Sequence, residues 1–246
     1  MLNYIKGEIF RLIHKKSMYT YFGFMFIGYA LITFMRSGGF DEASVTNDAL
    51  TLFMMLPVMI GGFMFMAIYL DDLNAKSLVA LVGFGMSKAQ IIVAKLILSL
   101  LFNGILFGIF PIFHWLLYVV FGSGARFDAL SEIYIITLRY GLLTIGYSAL
   151  VAALVYGVQR ATLPMVVYVV AAFGTIYNLL AALVLNPLAE SGFDLGSLFV
   201  FEIVNRISIA LVNGEPILTL LIGYILYVGI ASVVSTVVFH KKEMEF

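Results

Sequence analysis

Long apolar runs alternate with short polar stretches along this chain, and the runs set its architecture. Residues 19–35, 52–70, 96–121, 133–157, 163–185 and 217–239 are each largely apolar. A helix rising 1.5 Å per residue needs about 20 such residues to cross hydrocarbon. The six runs therefore predict six transmembrane helices, the first short and the third long. Pro111 lies inside the third run, where its missing N–H predicts a kink and a tilted helix. Pro164, Pro187 and Pro216 fall at run ends, where proline is tolerated. Ahead of the runs, Leu2, Ile5, Ile9, Leu12 and Ile13 recur on one helical face, opposite Lys6, Glu8, Arg11, Lys15 and Lys16. Those charges interrupt any signal-peptide core. They predict instead an amphipathic helix over residues 1–18, lying along the membrane interface.

One further apolar segment, 195–212, carries Glu202, Asn205 and Arg206 at its centre. Two central charges cost roughly 5–7 kcal/mol to insert, which an i,i+4 pairing of Glu202 with Arg206 would soften. The segment reads as an external amphipathic helix within 187–215, on or dipping into the outer surface, with these three residues at an external gate.

Composition agrees with the pattern: 63% of 246 residues are apolar and 11% charged, with mean hydropathy +1.07, outside the range of soluble domains. The chain reads as a single all-α integral membrane domain, residues 1–246. Its zero net charge hides an asymmetry. With the N-terminus inside, Lys6, Arg11, Lys15, Lys16, Lys76, Lys88, Lys95, Arg160, Lys241 and Lys242 are cytoplasmic, whereas Arg36, Arg126 and Arg206 are outside and Arg139 lies within a span. The positive-inside rule then places both termini in the cytoplasm, and the expected location is the cell membrane.

The stretch 71–95 stands out among the connections. Asp71 and Asp72 open it, Lys88 and Lys95 close it, and Leu78, Leu81 and Val82 cluster at helical spacing before a Gly83-Phe84-Gly85 break. A connecting loop needs only turn chemistry, so a short amphipathic helix there points to a docking element, the plainer reading being an interfacial loop. Catalytic signatures are missing. Gly83-Phe84-Gly85-Met86-Ser87-Lys88 does not fit the phosphate-cradling GxxxxGK[ST] pattern, no GxSxG occurs, and Ser148 reads as a small packing residue. Lone adjacent aspartates more often mark a solvated span end than a metal site. The three histidines are far apart, there is no cysteine, and no basic, aromatic-interleaved face suggests nucleic acid. Ala171, Ala172 and Gly174, with Ala181 and Ala182, are small enough to admit a close helix, from this chain or a second one.

The amphipathic N-terminal helix, six spans with both termini inside, the docking-type first cytoplasmic loop and the helical segment before the last span together resemble the permease subunits of type-2 ABC exporters. The matching loop residues are Asp71-Asp72, Lys76-Ser77-Leu78, Gly85-Met86-Ser87-Lys88 and Ala94-Lys95-Leu96. Lys88 stands where arginine is commoner, and Ala75 where glycine often does. The small size is similar to permeases of bacterial peptide-antibiotic immunity and peptide export. The resemblance implies two permease chains, identical or different, each engaging a separate ABC ATPase subunit that carries ATP and Mg, with no cofactor and no catalysis on this chain. It implies ATPase coupling through 71–88, on Asp72, Lys76, Ser77, Leu78, Leu81, Val82, Met86 and Lys88. A rival from another class is an intramembrane enzyme or a membrane scaffold.

Three polar residues fall at a common depth. Arg139, His114 and Asn178 each lie about 9–11 Å inside the outer end of their runs, at 1.5 Å per residue. Polar groups at one depth are best satisfied by one another or by water, which predicts a polar layer along a substrate path, with Arg139 holding an acidic group of the cargo or pairing with Glu132. The alternative is that Arg139 snorkels to the headgroups and His114 joins an aromatic belt with Trp115 and Tyr118.

Overall fold

The computed structural model describes residues 1–36, 42–74, 77–122, 127–186 and 194–242. Helix α1 (Leu2–Ile13) precedes three long helices, α2 (Lys16–Arg36), α3 (Ser44–Leu70) and α5 (Lys88–Phe121), with the short α4 (Ser77–Gly83) before the third. Then follow α6 (Phe127–Val158), α7 (Thr162–Ala172), α8 (Thr175–Leu185), α9 (Val200–Asn213) and α10 (Leu218–Lys241). Among the described residues five helices are long and apolar enough to cross a membrane: α2, α3, α5, the 129–158 part of α6, and α10. Phe24, Leu31, Ile225 and Ile230 stand exposed on α2 and α10, as side chains against acyl chains do.

Helix limits depart from the apolar runs, at Arg36 and Asp48 because the two side chains satisfy each other. The first run is extended by Lys16 and Arg36 to 21 residues, so it is not short. The second span starts before its run and takes in Asp48, whose carboxylate is paired with Arg36 at 2.9 Å. Within α3 a π-helical turn begins at Pro57, which has no N–H to give to the preceding turn. Helix α5 runs through Pro111 as one 34-residue helix.

The fifth run is not one straight span. Its two halves, α7 and α8, meet at 68° around Phe173-Gly174. Gly174 has φ +71°, and the turn is closed by Phe173 N–H to the Val169 carbonyl and Gly174 N–H to the Ala171 carbonyl. Gly174 therefore ends a helix rather than offering a packing surface, while Ala171 and Ala172 are buried. A Gly174→Ala substitution should cost about 1–2 kcal/mol, because a Cβ is disfavoured at positive φ. Thermal unfolding in detergent, followed through the single tryptophan, Trp115, measures it.

Helix α6 is central and packs on α5, α7, α9 and α10. The 195–212 segment forms a 14-residue helix, α9, that follows α6 rather than crossing its end. Its buried Val200 lies against Gly146, and Ser208 and Val212 share a cavity wall with Ser131 and Glu132, roughly 20 Å along α6 from Gly146 at 1.5 Å per residue. Its buried stripe is Val200, Val204, Ile207 and Ala210, which leaves the charges outward.

Candidate functional site

The end of the bundle that carries α1 is tied together by charge. Arg11 donates through Nε and Nη2 to the two Glu8 oxygens at 3.0 and 2.8 Å, and through Nη1 to Asp71 at 3.2 Å. Lys15 also pairs with Asp71, and Arg11 reaches the Ala67 carbonyl at 3.0 Å. Lys95, whose side chain is 1% exposed, donates to Glu8 at 3.0 Å. Burial pushes the Glu8 carboxyl up, but hydrogen bonds and charges from Arg11 and Lys95 outweigh it and hold the group below its ordinary 4.5. The outcome is mechanical: α1 is clamped to the end of α3 and the first turns of α5, the two helices that flank the 71–88 loop. Ile5, Glu8 and Leu12 face the bundle, while Leu2, Phe10 and Ile13 remain exposed.

Within that loop Leu78 is buried, and Leu81, Val82 and Met86 are partly buried against the chain's own core. Among the described large apolar side chains of the loop, Phe84 is the one that projects, 88% exposed. It sits on a well-defined turn. Met86 N–H bonds to the Leu81 carbonyl at 3.1 Å and Gly85 N–H to the Val82 carbonyl at 2.9 Å, with Gly85 at φ +86°. Those are the bonds of a Schellman cap, which fixes the turn that carries Phe84. One residue later Ser87 and Gln90 form a capping box that starts α5. Lys88 turns to the last helix, donating to the Phe239 and Lys242 carbonyls at 2.8 and 3.1 Å, where a cation suits the dipole of a helix C-terminus. Lys76 lies outside the described residues, as do the side chains of Asp72 and Ser77.

At the opposite end the three residues of the expected polar layer are divided. His114 is fully buried, and its Nε2 faces the Val45 carbonyl at 2.9 Å. A carbonyl only accepts, so Nε2 carries the proton; in the neutral ring Nδ1 then accepts from the Tyr29 hydroxyl at 2.6 Å. Beside it Tyr118 donates to Asp48, which also holds Arg36. This cluster joins α2, α3 and α5. Asn178 is exposed on α8, next to Tyr177, whose ring stacks on Phe201 at 4.5 Å. Arg139 lies over the other ring contacts, 5.7 Å from Phe201 and 5.9 Å from Tyr140.

Arg139 also lines a cavity of about 470 Å³ between α3, α6 and α9, together with Thr46, Glu132, Ser208 and Val212. His114 and Asn178 are not among its lining residues. Glu132 does not pair with Arg139; its carboxylate accepts from the Thr46 hydroxyl at 3.1 Å. The expected Glu202–Arg206 pair forms at 3.4 Å, and Arg206 also reaches Asp194 at 3.5 Å, both near the surface. Asn205 is half-buried on the same helix. Among the described residues no three histidine, aspartate or glutamate side chains gather as a metal site would need.

Comparison of the chain with family models, with characterised proteins and with solved structures finds no match.

Proposed function

We propose that this chain is the permease subunit of an ATP-driven exporter of the type-2 ABC class, coupled through the 71–88 loop to a separate ATPase subunit that binds ATP and Mg. The observation that carries the reading is Phe84. A large apolar side chain, 88% exposed on a turn fixed by a helix cap on one side and a capping box on the other, is costly in water and is the shape of a docking knob. In this reading α1 lies in the cytoplasmic interface, its exposed Leu2, Phe10 and Ile13 in lipid, and α7 with α8 completes six spans with both termini inside. The bilayer in this reading is the cell membrane, and a second permease chain, identical or different, completes the path.

The coupling needs no bond-making residue here. Closure of the ATPase would push on Phe84, and the loop moves only with what it is fastened to. Those fastenings are the α1 clamp at Glu8 and Asp71 and the Lys88 contact with the end of α10. A displacement of the loop is thereby shared by α3, α5 and α10, as a switch between two packed arrangements requires. An amphipathic peptide is the cargo proposed, on the likeness in size and topology.

Purification of the tagged chain from its native membranes tests the reading. A nucleotide-binding subunit should copurify and hydrolyse ATP, faster when reconstituted with this chain. Recovery of this chain with no such subunit, together with a chemical activity of its own, would establish the enzyme reading in its place.

A further inference from the structure

Arg139 presents a charge problem that the rest of the fold leaves open. It lies within a helix long and apolar enough to cross a membrane, its Nε is buried without a hydrogen-bond partner, and among the described residues no carboxylate pairs with it. Two aromatic rings hold the guanidinium in place without neutralising it. A cation kept in such a setting is expensive unless something else supplies the counter-charge. The cavity it lines, about 470 Å³, is far larger than a water or a small ion requires and falls in the range of ligand sites.

The lining selects among anions. Ile135 and Ile136 are apolar, Thr46 and Ser208 bring hydroxyls, and the flanking Leu50 and Val212 are 50% and 69% exposed, so the cavity meets the apolar surface of the bundle. Glu132 is also in the wall, two helical turns from Arg139, about 10 Å along α6 at 1.5 Å per residue. A purely anionic ligand would be repelled there. A ligand with an acidic group at Arg139 and a positive group beyond it satisfies both. A phosphate and an ammonium joined by a two-carbon bridge, with one charge-assisted hydrogen bond at each end, match that span. We propose that this cavity binds the headgroup of a zwitterionic phospholipid of the phosphoethanolamine type, its phosphate on Arg139, its ammonium toward Glu132, and its chains leaving past Leu50 and Val212.

The test uses the purified chain alone, so its outcome does not depend on an ATPase partner or on transport. Native mass spectrometry after delipidation and resupply reads retention of phosphatidylethanolamine, phosphatidylglycerol or diacylglycerol. Wild type should retain one phosphatidylethanolamine at least tenfold better than diacylglycerol. Arg139→Gln should lose that preference and Arg139→Lys keep part of it, since a point charge replaces a planar fork incompletely. Glu132→Gln should move the preference toward phosphatidylglycerol. Ser208→Phe, which fills the cavity and leaves the arginine, should abolish retention while its unfolding temperature stays that of wild type, which separates occupancy from misfolding. Retention by Arg139→Gln equal to wild type, equal retention of diacylglycerol, or displacement of the lipid by a short amphipathic peptide would each overturn the assignment.

Discussion

Replacing Glu8 by alanine is expected to destabilise this protein by about 3–5 kcal/mol, the cost of breaking a buried ion pair from one side. Lys95 is the reason. Its side chain is 1% exposed and donates to Glu8 at 3.0 Å, so the substitution leaves an ammonium in the interior with its main partner gone. Arg11 loses two bonds to the same carboxylate but is half-exposed, still reaches Asp71, and can turn to water. The double change Glu8→Leu with Lys95→Met should recover most of the loss, because neither charge is then buried alone. Thermal unfolding in detergent of Glu8→Leu, Lys95→Met and the double variant completes the cycle, with Glu8→Ala measured beside them. A single-variant loss below about 1 kcal/mol would mean that α1 is not clamped. The sign of the pH dependence follows from the depressed carboxyl. Its contribution is complete above the ordinary 4.5 and is lost as pH falls through the lower value in the folded protein.

If the proposed ATPase subunit docks on the 71–88 loop, a change of Phe84 to aspartate should release it while leaving this chain folded. Phe84 is 88% exposed and supports nothing in its own chain, so its loss costs the fold little. If it fills a pocket on the partner, truncation of such an anchor costs about 2 kcal/mol or more, roughly thirtyfold in affinity, and a carboxylate adds desolvation. Leu78→Asp should behave oppositely. That residue is 7% exposed inside the chain's own core, so the variant should lose thermal stability before any interface is tested. Binding of purified ATPase to each variant in nanodiscs, beside their unfolding temperatures, separates the two. Wild-type affinity in Phe84→Asp would remove the knob from the interface.

The two loop residues show where reading a sequence stops. Leu78, Leu81 and Val82 stand at helical spacing, and that apolar periodicity correctly marks a short helix with a buried face. Periodicity says that a face is covered and not by what. Here the cover is this chain, and Phe84, which lies outside the period, is what remains exposed. The same distinction explains Lys95. At the start of an apolar run it reads as a solvated end, and only the arrival of Glu8, far away in sequence, makes burial affordable.

The long helices were legible because crossing hydrocarbon imposes a local rule, an unbroken apolar length, that sequence satisfies or fails by itself. The five long apolar helices, the helix at the N-terminus and the pairing of Glu202 with Arg206 all follow from spacings within a few turns. A bend is local too, yet in the sequence Gly174 reads as a packing surface among alanines, and its φ of +71° makes it a helix end instead. Equal depth placed His114, Arg139 and Asn178 together only in projection. Rotation about each helix axis, set by packing, gave His114 to Tyr29 and Val45, left Asn178 at the surface, and turned Arg139 to the cavity walled by α3 and α9. Depth is one coordinate that sequence supplies; azimuth depends on which side chains of neighbouring helices interlock, and that is decided only when the bundle closes.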